Sequence, residues 1–381
     1  MSESFVNRPT WAEINLDNLA FNFHSVQRFV GENLAFMAIV KADGYGHGAI
    51  RCAKRLVAEG VDWFGVALLE EGLELRENEI RTPILCMGGF WAGQENCLLE
   101  NNITPVIYQT DAAERLNRVA QERKIIADVH VKIDTGMGRI GVRFDEVKEF
   151  SDKLRQYKSL RIDGLMTHFA SADNLSESEY TDEQIKKFDD SLAIFQSKGF
   201  NPTYKDLANS PGAIVHKSSR GNLIRIGGIL YGLGGDVLPE DIIKPELKPV
   251  MSLHTRIAHL KRVPRGETLG YGRTYTTEKD ALIATIPIGY QDGYSRSLSN
   301  KGRSIVNGTY VPVVGRISMD WTILNVSEIK NVKVNDEVIL IGESDELKVS
   351  SEELAKQTNT ISYEITCGIN RRVQRKYVES E

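Results

Sequence analysis

Short apolar runs alternate with helix-like segments along residues 9–240. The clearest run is Ala35 to Val40, six apolar residues without a polar break, which is typical of a strand buried on both faces. The other predicted strands of this region are Trp63–Ala67, Ile84–Gly88, Thr104–Tyr108, Ala127–Asp134, Gly164–Phe169, Asp206–Ala208 and Leu223–Leu230.

The segments between these strands have helical periodicity, and each is long enough for a right-handed crossover between parallel strands. The first predicted helix is capped by Asp17 and runs to Val30. The others are Ala49–Glu59, Leu68–Asn78, Thr110–Arg123, Phe144–Lys158 and Ser178–Ser197. Eight β/α units predict an N-terminal TIM (β/α)8 barrel over residues 9–240, with a doubly wound sheet of fewer strands as the alternative.

The pattern changes between Val237 and Pro249, where three prolines interrupt the helical rhythm and indicate a linker. Residues 241–381 are therefore predicted to form a mostly-β C-terminal domain. Residues 1–16 are the segment that would join this domain, since 9–16 alternate apolar and polar positions. The predicted strands of the C-terminal domain are Ser252–Leu260, Ala281–Pro287, Ser304–Val306, Tyr310–Val314, Trp321–Val326 and Glu337–Ile341.

The composition favours a small molecule as the binding partner. The 381 residues include 47 basic and 52 acidic side chains, so a net charge of −5 offers no global field for nucleic acid or an anionic membrane. The first residues lack a basic segment followed by an apolar one, which predicts a cytoplasmic protein. The four cysteines lack Cys-x-x-Cys spacing, so neither a metal site nor a disulfide framework is predicted.

The run Ala35 to Val40 ends at Lys41, and Gly44, Gly46 and Gly48 follow at alternate positions. The end of a barrel strand is where catalytic groups are placed, and an amine in a partly desolvated mouth loses its proton more easily. Such a lysine is able to form a Schiff base with an aldehyde. The alternative is a lysine that extends to solvent beside a tight glycine turn.

The string Lys41-Ala-Asp-Gly-Tyr-Gly-His-Gly48 closely resembles the pyridoxal-phosphate lysine motif of the alanine racemases. That resemblance implies pyridoxal 5'-phosphate as cofactor, bound through Lys41. Two segments at 209–212 and 225–232 resemble the family's phosphate grip, which implies Ser210, Gly227 and Gly228. The family's proline after the arginine is Ile226 here.

The resemblance also implies the catalytic groups. Arg225 would face the pyridine nitrogen and keep it neutral, which disfavours a long-lived carbanion and favours proton removal and return. Racemisation needs an acid and a base on opposite faces of Cα. Lys41 would serve one face, and Tyr271, in a segment resembling the family's second base, the other. His168, in a Met-Thr-His-Phe segment, would tune Tyr271 together with Arg225.

Further family positions imply a substrate site. Arg139 would hold the substrate carboxylate, and Met319, in a Ser-Met-Asp tripeptide where the family has Cys-Met-Asp, would offer a backbone N–H. Tyr363 and Tyr45 would hydrogen-bond the phosphate. Lys132 matches a position carbamylated in several members, with pairing to a nearby carboxylate as the equally supported alternative.

The resemblance extends from Pro9 to Arg372 and implies a homodimer with shared active sites, completed by Tyr271, Met319 and Tyr363 of the second subunit. The predicted function is interconversion of L- and D-alanine, supplying D-alanine for peptidoglycan. A broader racemase acting on serine is the alternative. Less favoured are a barrel-type decarboxylase, which should carry a carboxylate at position 225, and a cofactor carrier without a second domain.

Overall fold

The computed structural model describes residues 8–31 and 33–380, and its elements are numbered in chain order. The helices are α1 (Leu16–Val30), α2 (Lys41–Tyr45), α3 (Ala49–Ala58), α4 (Leu69–Glu77), α5 (Glu95–Glu100), α6 (Thr110–Glu122), α7 (Val147–Leu154), α8 (Ser178–Ser197), α9 (Ser210–Val215), α10 (Ser351–Thr358) and α11 (Ser362–Gly368). The strands up to residue 226 are β1 (Thr10–Asn15), β2 (Ala35–Ile39), β3 (Trp63–Val66), β4 (Ile84–Cys86), β5 (Ile103–Ile107), β6 (Ala127–Asp134), β7 (Val142–Arg143), β8 (Leu160–Met166), β9 (Tyr204–Asp206) and β10 (Leu223–Ile226).

Eight parallel strands form the barrel in the order β10-β2-β3-β4-β5-β6-β8-β9, and β7 pairs with β6 outside this path. The remaining edge, between β9 and β10, is joined by two backbone hydrogen bonds. Arg225 N donates to Ala208 O over 3.0 Å, and Asn222 N donates to Lys205 O over 3.3 Å. The predicted barrel is therefore confirmed, and a doubly wound sheet is excluded because β10 returns to pair with β2.

Several predicted boundaries were wrong. Asn15, not Asp17, caps α1, because its side chain accepts a hydrogen bond from Asn18 N at 2.9 Å. The seventh barrel strand ends at Asp206 instead of beginning there. The eighth ends at Ile226, and Gly228–Tyr231 form a 3-10 turn. Apolar composition continues past both strand ends because the residues that follow, Leu207 and Ala208 in one case and Ile229 to Tyr231 in the other, are themselves buried.

The C-terminal part of the chain is rich in short strands. They are β11 (Met251–Arg256), β12 (His259–Val263), β13 (Thr268–Leu269), β14 (Tyr275–Thr276), β15 (Ala281–Ile286), β16 (Arg303–Val306), β17 (Thr309–Pro312), β18 (Thr322–Asn325), β19 (Glu337–Ser344), β20 (Leu347–Val349) and β21 (Gln374–Val378). The main sheet has the order β17-β16-β19-β11-β1-β21, with β20 on β19, and β12-β15-β18 form a second sheet. The N-terminal strand β1 thus belongs to the C-terminal sheet.

The predicted strand Ser252–Leu260 is two strands in two sheets. The chain crosses between them at Ile257 and Ala258, whose N–H groups donate to Asp336 O and Thr285 O. The short helices α10 and α11 were not predicted. Their apolar faces help to form one continuous core with the barrel, which contains Phe23, Met37, Leu253, Val338 and Leu354.

Membrane crossing is not supported by the helices of residues 8–31 and 33–380, since none combines the length and apolar character that a bilayer requires.

Candidate active site

A cavity of about 640 Å³ opens at the carboxyl ends of the barrel strands. This is the end of a parallel barrel at which catalytic groups are held. Its lining includes most of the residues that the sequence singled out: Lys41, Tyr45, Lys132, Arg139, His168, Ser210, Arg225, Gly227, Gly228 and Tyr363.

Lys41 is followed by a left-handed turn. Ala42, Asp43 and Tyr45, none of them glycine, have φ of 53°, 53° and 55°. Each such residue costs about 1 kcal/mol or more, so the surrounding contacts must hold the turn in place. Glu71 accepts hydrogen bonds from Ala42 N and Ala67 N at 2.7 Å each. Asp43 accepts one from Ala49 N at 2.9 Å.

His47 stabilises the same turn through hydrogen bonds to its backbone carbonyls. Its Nδ1 lies 3.0 Å from the carbonyl oxygens of both Gly44 and Tyr45, so Nδ1 carries the proton. Burial lowers the pKa of His47 to about 4, which keeps the ring neutral. Three polar side chains, those of Glu71, Asp43 and His47, therefore hold the strained turn that follows Lys41.

The surroundings of the two cavity lysines, Lys41 and Lys132, disfavour the charged form of each amine. Burial lowers the pKa of Lys41, and the Arg139 and Arg225 guanidinium groups lower it further. Burial also lowers the pKa of Lys132 to about 8, again with help from Arg225 and Arg139. No carboxylate in the described part of the chain lies within 4.0 Å of the Lys132 amine, so the predicted alternative of an ion pair is not observed. Both amines are thus closer to their nucleophilic, neutral form than an exposed lysine.

A concave cradle lies beside Lys41, built from Ser210, Gly227 and Gly228. Gly227 N donates to Ser210 Oγ over 3.0 Å, which fixes the hydroxyl at the start of α9. A Cβ at Gly227 would lie 2.6 Å from the Tyr45 hydroxyl, and one at Gly228 would lie 2.2 Å from that of Tyr363. The two glycines thus let both phenols approach the backbone. Asn209, rather than Ser210, caps α9 by accepting from Gly212 N.

Arg225 lies below this cradle, at the end of β10. Its Nη2 donates to Thr167 O at 2.8 Å and lies 3.4 Å from His168 Nδ1. Its Nη1 donates to the buried carboxylate of Asp206, with which it forms an ion pair. Burial lowers the pKa of His168 well below its ordinary value, and Arg225 lowers it further, so the imidazole is neutral.

Tyr271 and Met319 do not line this cavity. Tyr271 lies in the 3-10 turn Tyr271–Arg273 between β13 and β14, and Met319 lies in the loop between β17 and β18; the two residues are 71% and 49% exposed. The interpretation that Tyr363 comes from a second subunit was wrong for this chain. Tyr363 lies in α11 and packs on Gly228 and Tyr45 of its own chain, with 5.2 Å between the Tyr45 and Tyr363 ring centroids.

The sequence interpretation missed Asp206 and Glu71. A signal existed for Asp206, because a charged residue inside a predicted buried strand requires a partner. Glu71 gave no such signal, since an acid in the first turn of a helix is ordinary on electrostatic grounds alone. Cys367 also lines the cavity, and its position on α11 follows only from the fold.

The parallel barrel, the β-rich C-terminal part of the chain and a cavity with a cationic lining at the carboxyl ends of the barrel strands are typical of an enzyme of the barrel class. Two family models match the chain, the alanine racemase N-terminal domain over residues 14–234 and the alanine racemase C-terminal domain over residues 250–377. The chain belongs to the alanine racemase family.

Individual proteins agree with this assignment. Alanine racemase of Halothermothrix orenii is 44% identical over 373 residues, covering 98% of this chain and 97% of that protein. The structure of alanine racemase from Clostridium difficile 630 superposes with a TM-score of 0.92 at 39% identity, covering 98% of this chain and 97% of that one. Alanine racemase from Bartonella henselae, solved with covalently bound pyridoxal phosphate, has a TM-score of 0.87 at 28% identity, covering 97% and 99%.

Proposed function

We propose that this enzyme interconverts L- and D-alanine, with pyridoxal 5'-phosphate bound through Lys41. The observation that carries the proposal is the cavity in which a lysine of lowered pKa, an anion cradle and a fixed guanidinium converge. When bound, the cofactor supplies the electron withdrawal that makes the substrate α-proton removable.

The residues of the cavity suit this cofactor. The Ser210 hydroxyl, the glycine backbone and the Tyr45 and Tyr363 hydroxyls supply donors for a phosphate at the short helix α9. Burial raises the pKa of both phenols, so they remain protonated donors. Arg225 would hydrogen-bond the ring nitrogen without giving up a proton, because a guanidinium stays charged.

Lys41 and Tyr271 act as the two proton-transfer groups in this proposal, one for each face of Cα. A neutral amine is the form that accepts a proton, and the setting of Lys41 favours that form. Arg139, exposed at the cavity mouth, would bind the substrate carboxylate, and Met319 would add a backbone N–H. Lys132, whose pKa burial lowers to about 8, reaches the neutral form that carbamylation by carbon dioxide requires more readily than an exposed lysine.

Because Tyr271 is outside the cavity of its own chain, the proposal requires a homodimer in which the partner closes the site. Two inactive variants, Lys41→Ala and Tyr271→Phe, test this by complementation. Random mixing makes half of the dimers mixed, and each mixed dimer has one intact site, so about one quarter of wild-type activity should return. Each variant incubated alone is the control. No recovery after verified subunit exchange would contradict a shared site.

The activity itself is tested by adding pyridoxal phosphate to the purified protein and following D-alanine formed from L-alanine and the reverse. A panel of small L-amino acids, serine included, separates an alanine enzyme from a broader racemase. Release of carbon dioxide instead of the opposite enantiomer would favour the decarboxylase alternative. Wild-type protein that binds the cofactor without catalysing either reaction would overturn the proposal in favour of the carrier function.

A further inference from the structure

The carboxylate of Asp206 is buried beneath the cavity in an aligned row of side chains. Lys132 on β6 is in register with Met166 on β8, and Met166 is in register with Asp206 on β9. Neighbouring strands are about 4.8 Å apart, so the Cα atoms of Lys132 and Asp206, two strands apart, are separated by about 10 Å in the same layer of the barrel. Asp206 has no exposed surface.

Both terminal nitrogens of the Arg225 guanidinium donate hydrogen bonds to neighbouring acceptors, and Asp206 binds one of them. The guanidinium Nη1 is bound by the Asp206 carboxylate and also donates to Asp206 O at 3.2 Å. Its Nη2 is bound by Thr167 O and by Leu207 O, the latter at 3.2 Å. Among residues 8–31 and 33–380 the Nε–H has no acceptor, which leaves it as the donor for a ligand in the cavity.

The Asp206 carboxylate lies beneath a cavity whose lining carries several basic side chains. Lys41, Lys132, Arg139 and Arg225 all line the cavity, and a buried guanidinium without a partner is strongly destabilising. Within the described residues the second carboxylate oxygen of Asp206, Oδ2, has no hydrogen-bond partner, although an acid that only joined β9 to β10 would be expected to use both oxygens. Burial raises the pKa of Asp206 to about 6 against the effect of Arg225, so it is ionised at neutral pH.

We propose that Asp206 is a positioning residue of the active site. Its carboxylate holds the Arg225 guanidinium with Nε–H free for the cofactor, and its negative charge balances the cationic cluster. The inference rests on the proposed function. The titratable and charged groups facing Asp206 and Arg225 are His130 and Lys132 on β6, His168 after β8, and Lys41 and Arg139 at the cavity.

The test uses full-length enzyme with pyridoxal phosphate bound and compares Asp206→Asn, Asp206→Glu and the control Glu95→Gln. Glu95 is a buried acid paired with Arg115 at 2.7 Å on an outer helix, away from the cavity. In Asp206→Asn, kcat should fall about tenfold or more with little change in KM, because a charged hydrogen bond is lost. The acid limb of kcat/KM should move about one pH unit lower, since losing a negative charge favours neutral bases.

Asp206→Glu keeps the charge, so its acid limb should stay at the wild-type pH even where kcat is reduced. The visible band of the bound cofactor should change in Asp206→Asn and remain unchanged in Glu95→Gln, while both variants lower the melting temperature. A folded Asp206→Asn enzyme with the wild-type band and acid limb would overturn the inference. If Asp206→Asn fails to fold, the test rests on Asp206→Glu. An acid limb of kcat/KM that is displaced from the wild-type pH in Asp206→Glu would then also overturn the inference. Wild-type protein without band or turnover would refute the proposed function instead.

Discussion

Replacing Gly228 with alanine tests the phosphate cradle without removing any polar group. The backbone of Gly228 is not in the left-handed region, so alanine brings no backbone strain. Its Cβ, however, would lie 2.2 Å from the Tyr363 hydroxyl, where ordinary contacts begin at 3.4 Å. The phenol must therefore retreat by more than about 1 Å, which is enough to break a hydrogen bond to a phosphate oxygen.

A charge-assisted hydrogen bond contributes about 1.5–3 kcal/mol, so the Kd for pyridoxal phosphate should rise about 10- to 150-fold. Pyridoxal without its phosphate should bind as it does to the wild type. Tyr363→Phe should reproduce the effect without any steric change. Gly368→Ala, in the same helix α11, is the control, because a Cβ there meets no atom of the described residues within 4 Å. Equal weakening of both ligands, or unchanged affinity for both, would refute the reasoning.

Three further outcomes are expected. Lys41→Ala should lose the visible band that pyridoxal phosphate gives with the wild type, and an unchanged spectrum would rule out Lys41 as the anchor. Tyr271→Phe should abolish turnover of one alanine enantiomer while α-proton exchange on the other persists, whereas equal, mild losses would remove Tyr271 from the mechanism. Buried His47 and His130 have pKa values lowered to about 4 and about 3 from 6.5. The unfolded chain binds more protons than the folded one below pH 6.5, so stability is lost as the pH falls toward 4, by about 3 kcal/mol for His47 alone. Denaturant titrations in that window should show this loss, and His130→Leu should make it shallower; a flat profile would contradict it.

The sequence was sufficient for the barrel because its strands are buried on both faces. Runs such as Ala35 to Val40 have no polar position, and helical segments of crossover length separate them. The predicted ends of strands were wrong where the loop that follows the strand is itself buried. Apart from Arg225, Leu223–Leu230 is apolar, yet the strand stops at Ile226 because Gly228–Tyr231 form a buried 3-10 turn.

The sequence by itself determined which residues are candidates for the chemistry, since Lys41, Ser210, Arg225 and the glycines lie in short local motifs at or just after strand ends. Only the tertiary structure decided which of them share a cavity. It brought Tyr363 from the end of the chain onto Gly228, paired Asp206 with Arg225, and left Tyr271 exposed. Motifs encode local backbone geometry, whereas ion pairs and burial depend on contacts between residues far apart in the chain, which spacing alone does not specify.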